Sequence, residues 1–117
     1  MHTIRLRGPW DFVPQEDPPG TTRCTRHFHK PTGLDSGERV WLVIEGLAGT
    51  AQVSVNDTAL AQASGMSLIR FDLTTLLRPH NELIIDIACP PNSDLVRFPG
   101  EVRLEIESEI RNLKSEI

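Results

Sequence analysis

From Val53 to Leu60 the chain reads Val-Ser-Val-Asn-Asp-Thr-Ala-Leu, with alternating apolar residues on both sides of an Asn-Asp pair. Asn and Asp both tolerate the positive φ angles that a two-residue hairpin turn requires, so this stretch predicts two antiparallel strands joined at Asn56-Asp57. Ile69, Phe71 and Leu73 follow, alternating with Arg70 and Asp72, the period of a strand with one buried face. A chain built this way must bury alternate side chains between layers of extended backbone.

The remaining segments repeat the pattern. Ile4, Leu6, Trp10 and Phe12 all fall on even positions, giving one inward face interrupted by Gly8-Pro9. The segment QEDPPGTT predicts a surface loop, RCTRHFHKP a strand stopped by Pro31, and PTGLDSGE a further turn-rich connection. In ERVWLVIEGL both faces are apolar, with Val40, Leu42 and Ile44 on one side and Trp41 and Val43 on the other. Such a strand is central and covered on two sides, or covered on one side with Trp41 exposed. DLTTLLRPHN predicts the end of a strand and a helical turn from Thr74 to Leu77, closed by Pro79 and Asn81. ELIIDIACPP and EVRLEIE are strands, and NSDLVRFPG between them is a loop. The tail places Ile110, Leu113 and Ile117 at helical spacing behind Ser108, as a short helix or a frayed end. About eight strands with regular turn signals predict an all-β fold, an antiparallel β-sandwich of jelly-roll or immunoglobulin-like type. The sandwich is expected over residues 1–107 and the tail over 108–117.

Composition narrows the function. Twelve basic and 16 acidic residues give a net charge of −4, and the basic ones are scattered, so nucleic acid is not an expected partner. No run approaches the ~20 apolar residues of a membrane span. The opening Met1-His2-Thr3-Ile4-Arg5 has no basic region ahead of an apolar core, which predicts a cytoplasmic protein without a signal peptide. Cys24 and Cys89 then read as buried small hydrophobes, or as a disulfide if their strands are neighbours.

Few residues suggest chemistry. Acid/base work on sugars needs two carboxylates facing across a cleft, and Asp72, Asp86, Asp94 and Glu101 read instead as capping or solvated groups. His27 and His29 flank Phe28 and share one face, with Cys24 opposite, while His2 and His80 stand apart; an exposed polar strand face is expected rather than zinc. No phosphate-cradling loop, nucleophile elbow or calcium loop is present, so no metal or cofactor is expected. Sugar binding wants an aromatic surface with polar neighbours. Trp10, Phe12, Phe28 and Phe71 read as core, which leaves Trp41 and Phe98 as candidate stacking residues and Arg97 as a hydroxyl donor.

The order of segments resembles the N-terminal sugar-binding-like domain of family 2 glycoside hydrolases, a galactose-binding-domain-like jelly roll. The resemblance lies in Leu6, Gly8, Trp10 and Phe12, in the run Arg39 to Leu47, and in Ala51-Gln52-Val53-Ser54-Val55-Asn56. It continues through Phe71-Asp72-Leu73-Thr74, Asn81 to Ile87, and Pro99-Gly100-Glu101-Val102-Arg103-Leu104. Asp57 stands where that family usually has glycine, and the sequence ends where the family's immunoglobulin-like and barrel domains would begin. The family's catalytic carboxylates sit in the barrel. The resemblance therefore implies a non-catalytic carbohydrate-binding or accessory module with a carbohydrate partner. The alternative is an interaction or self-assembly module, homo-oligomer or with a protein partner, using Trp41, Val43 and the Ile110/Leu113/Ile117 stripe.

Overall fold

Alternation sorts the chain into two layers. The computed structural model describes residues 2–16, 19–34, 37–47, 50–64, 68–88 and 100–108. These form β1 (His2–Arg5), β2 (Asp11–Glu16), β3 (Pro19–His29), β4 (Glu38–Glu45) and β5 (Thr50–Val55), followed by β6 (Thr58–Ser64), β7 (Ile69–Asp72), β8 (His80–Ala88) and β9 (Glu101–Ser108). One sheet has four strands in the order β1-β9-β4-β7, the other five in the order β2-β3-β8-β5-β6, and every pairing is antiparallel. The result is an all-β sandwich in which the chain crosses repeatedly between layers.

The core lies between the sheets. Val40, Leu42 and Ile44 of β4 and Val102, Leu104 and Ile106 of β9 supply one side. Cys24 and Phe28 of β3, Val53 and Val55 of β5, and Leu83, Ile85 and Ile87 of β8 supply the other. Each fully buried Val, Leu or Ile removes enough apolar surface to contribute about 1.5–3 kcal/mol. Trp10, Phe12 and Phe71 pack against this core half-buried.

The structure has nine strands among the described residues where the sequence predicted about eight. The opening residues, expected to make one face, divide between layers: β1 pairs with β9 and β2 pairs with β3. Leu6 to Trp10 carries the crossing, and Pro9 has no N–H to extend a ladder. The expected QEDPPGTT loop is also shorter than predicted. Pro19 to Thr22 begin β3, and a register shift at Gln15/Glu16 together with Gly20 at φ 84° accommodates the proline at this edge. The helical turn after β7 forms as expected, with the N–H groups of Leu76 and Leu77 both donating to the Leu73 carbonyl. β9 runs to Ser108, and the expected C-terminal helix lies outside the described residues.

Asn56 and Asp57 adopt φ 50° and 68°, the left-handed pair that a right-twisted hairpin demands. An L-residue there is strained, and glycine relieves it. Asp57→Gly is expected to stabilise the domain by about 0.5–1 kcal/mol. The check is urea unfolding: the midpoint rises at unchanged slope, and a lower midpoint would show that the aspartate makes a compensating contact.

At the far end of β4, Gly46 at φ 84° lets the chain turn beside Gly100, where a Cβ would lie 2.8 Å from the Glu45 carbonyl oxygen.

Candidate functional site

Two surfaces bear on function. The first is the outer face of the four-stranded sheet, which holds Trp41. Odd positions of β4 point outward, and Trp41 and Val43 have Asp72 and Arg70 of β7 opposite them on one side and Glu105 and Arg103 of β9 on the other. Cross-strand neighbours stand close enough to cover one another. The Arg70 guanidinium carbon sits 3.8 Å from the centre of the Trp41 ring, a cation–π stack, and Val43 is only 1% exposed. Arg103 Nε donates to Glu105 at 2.8 Å, its Nη1 donates to Glu45, and Glu101 lies 3.6 Å away. Glu101 also reaches Arg5, which would otherwise face Arg103 across the strand pair with like charge.

Of β4's two predicted settings the structure takes the first: it is an inner strand covered on both faces, the outer one by arginine stems and their ion pairs. Trp41 is half-buried, its Nε1 has no hydrogen-bond partner among the described residues, and one ring face is taken by Arg70. Arg97 and Phe98 lie outside the described residues, as do Cys89, Asp94 and the Ile110/Leu113/Ile117 stripe.

The carboxylates are engaged structurally. Asp72 accepts from the Thr74 backbone N–H at 2.9 Å and from its hydroxyl at 2.6 Å, closing the turn after β7. Burial pushes its carboxyl up, but the two Thr74 hydrogen bonds, with Arg39 and Arg70, outweigh that and hold it below the usual range. A general acid on a glycoside needs the reverse. Asp86 pairs with Arg23 at 2.9 Å.

The second surface is a cleft of about 690 Å³ where the two layers part beside the ends of β1 and β3. β3 outruns β2: its last paired residue against β2 is Thr25, so residues 26–29 are bonded on one side by β8 and open on the other. Ile4, Leu6, Phe28 and Leu104 give the cleft an apolar floor. Arg26, His27, His29, Arg78, His80 and Glu82 give it a polar rim. Arg26 is pinned, its Nε donating to the Arg7 carbonyl at 2.7 Å and its Nη1 to that of His27.

Behind the rim sits a hydrogen-bonded pair of amides. Asn81 is 2% exposed and uses all its capacity: Nδ2 donates to the carbonyls of Arg78 (2.8 Å) and Phe28 (3.3 Å), and Oδ1 accepts from Asn56 Nδ2 (3.0 Å) and the Arg78 N–H (2.8 Å). Asn56 also donates to the Leu76 carbonyl at 3.1 Å and accepts from the Glu82 N–H at 2.9 Å. The hairpin turn, the turn after β7 and the start of β8 are thereby tied together under the cleft.

His27 and His29 share the outer face as the period predicted, with Phe28 and Cys24 buried opposite. His80 is a correction: far from standing apart, it lies opposite His29, with the rings 4.8 Å apart edge to face. His27 faces Glu82 at 3.2 Å. No three His, Cys, Asp or Glu among the described residues converge to hold a metal. Among them, too, no helix is long and apolar enough to cross a membrane.

The family model for the glycosyl hydrolase 2 galactose-binding domain-like fold matches residues 21–108, from β3 through β9. The chain belongs to this family. Solved structures agree. An FMN-binding β-glucuronidase from Facaelibacterium prausnitzii L2-6 is 33% identical over 74% of the chain, with a TM-score of 0.57. The β-glucuronidases of Bifidobacterium dentium and an uncultured Clostridium sp. share the fold over 92% of the chain, at TM-scores of 0.69 and 0.73 and identities of 17% and 16%. The chain spans 15%, 30% and 29% of those three enzymes. None of the curated proteins matches it. Asp57, at φ 68°, holds the left-handed backbone that favours glycine.

Proposed function

We propose that this domain of the glycosyl hydrolase 2 galactose-binding-like family is a non-catalytic carbohydrate-binding or accessory module, and that its sugar site is the cleft between β1 and β3. The observation that carries this is the pairing of surfaces in one recess. A pyranose presents apolar C–H faces and a rim of hydroxyls, and the cleft presents an apolar floor of Ile4, Leu6, Phe28 and Leu104 beside polar donors and acceptors. Arg26 is held by backbone carbonyls before any ligand arrives, which lowers the ordering cost of binding. The glycosidases that share the fold make sugar the natural ligand class. Asp72 and Asp86 serve a turn and an ion pair, and Glu82 on the cleft's rim faces His27, so the part assigned to the module is to hold or position a sugar.

The test is a titration of isotope-labelled protein with methyl galactosides, glucosides and glucuronides, followed by amide NMR. The expected result is millimolar or tighter binding, with shifts confined to the cleft around Phe28, Asn81 and Leu104. No shift with any sugar would sink the reading. So would hydrolysis of aryl glycosides by the purified chain.

A further inference from the structure

The cleft's charge runs against that of the protein. With histidines counted neutral the chain carries −4 overall, yet the open end of the sandwich gathers three arginines, Arg5, Arg26 and Arg78, against the two carboxylates of Asp57 and Glu82. Glu82 already faces His27 at 3.2 Å. Asp57 is exposed at the hairpin tip. Arg5, also on the rim, is drawn toward Glu101. The two remaining guanidiniums are different. Those held by Arg26 are carbonyl bonds, which fix the group without neutralising it. Arg78 contributes only its backbone to the Asn81 network, and its exposed side chain meets no carboxylate among the described residues. A preset, planar, uncompensated guanidinium in the same cleft as a second one suits a carboxylate or sulfate that can take two parallel N–H bonds.

Resting on the reading of the cleft as a sugar site, we infer that its ligand is an acidic saccharide. The ring lies on the floor of Ile4, Leu6, Phe28 and Leu104, and its carboxylate or sulfate points toward Arg26 and Arg78. This places the chain's selectivity in two rim arginines contributed by β3 and by the turn before β8.

Calorimetric titration at low salt tests this with four probes: methyl galactoside, methyl galacturonide, galactose 6-sulfate and inorganic sulfate. The acidic sugars are expected to bind at least about tenfold more tightly than the neutral one, as one well-placed charge-assisted contact implies. That preference is expected to fall several-fold as salt is raised through the physiological range. Comparison of the galacturonide with the 6-sulfate tells which anionic group the site prefers. In Arg78→Ala the affinity for acidic sugars falls to that for the neutral sugar. Arg26→Gln keeps an N–H donor near the position of Nε, within reach of the Arg7 carbonyl, while removing the charge, and serves if Arg26→Ala does not fold. Equal binding of neutral and acidic sugars overturns the inference and leaves the sugar site standing. Inorganic sulfate binding as tightly as either acidic sugar overturns it, because the ring then adds nothing. A tenfold preference surviving in both arginine variants also overturns it. If no sugar binds at all, both readings fall.

Discussion

Replacing Asn81 with leucine is expected to destabilise the domain by about 3 kcal/mol, since the near-isosteric side chain fills the space but strands several buried polar groups, each costing about 1–3 kcal/mol. The Asn56 amide, the Phe28 carbonyl and both backbone groups of Arg78 lose their partner at once. Water reaches the Arg78 side and relieves part of this, which is why the sum is not larger. Thermal unfolding should move down by roughly 10 °C, at a few degrees per kcal/mol for a domain of this size. Asn56→Ala should cost less, because Asn56 lies in a turn nearer solvent. The two changes together should fall short of additivity by about 1 kcal/mol, since they share a hydrogen bond. Additive costs, or a loss under about 0.5 kcal/mol for Asn81→Leu, would mean that the two amides do not act as a unit.

Asn81 also shows how far the sequence could be read. It shares parity with Leu83, Ile85 and Ile87, so the period that placed those residues inward placed Asn81 inward too. Its position after Arg78-Pro79-His80 made it look like a turn residue. An inward-phased polar residue is a signal for a buried hydrogen-bond network. The hairpin at Asn56-Asp57, the central setting of β4 and the alternation of β8 and β9 were all legible, because each is a local matter of period and turn chemistry. Partnership between strands was not. That β1 and β2 belong to different sheets follows from which neighbours they find, and Ile4 of β1 and Phe12 of β2 both fall on even positions.

The cleft was illegible for the same reason. Its floor comes from β1, β3 and β9, and its rim from the end of β3, the start of β8 and two turns, segments widely separated along the chain. No motif spans them. His29 and His80 meet only because β3 and β8 are in register at those residues. Trp41 was legible as outward-facing by its parity, but the arginine stacked on it comes from β7, and periodicity within β4 says nothing of that. Of the three aromatic and basic residues singled out for sugar contact, Trp41 is the one the structure describes.

The second large effect should come from Arg103, because it holds apart three carboxylates that would otherwise repel one another. Its side chain is 16% exposed and reaches Glu45, Glu101 and Glu105 while its stem lies beside Val43. An isolated surface ion pair contributes about 0–1 kcal/mol, and a fully buried one broken on one side costs about 3–5 kcal/mol. This half-covered hub lies between them, and Arg103→Ala is expected to cost about 2 kcal/mol. Arg103→Met separates the causes: it restores the apolar cover over Val43 while taking the arginine from Glu45 and leaving Glu101 and Glu105 only their contacts with Arg5 and Arg70. If the stem matters, methionine recovers roughly half the loss, about 1 kcal/mol, and the remainder shrinks as salt screens the glutamates from one another. If the two variants unfold at the same urea concentration, the charge network alone closes this face. If neither differs from the parent, the network adds nothing to the stability of this face.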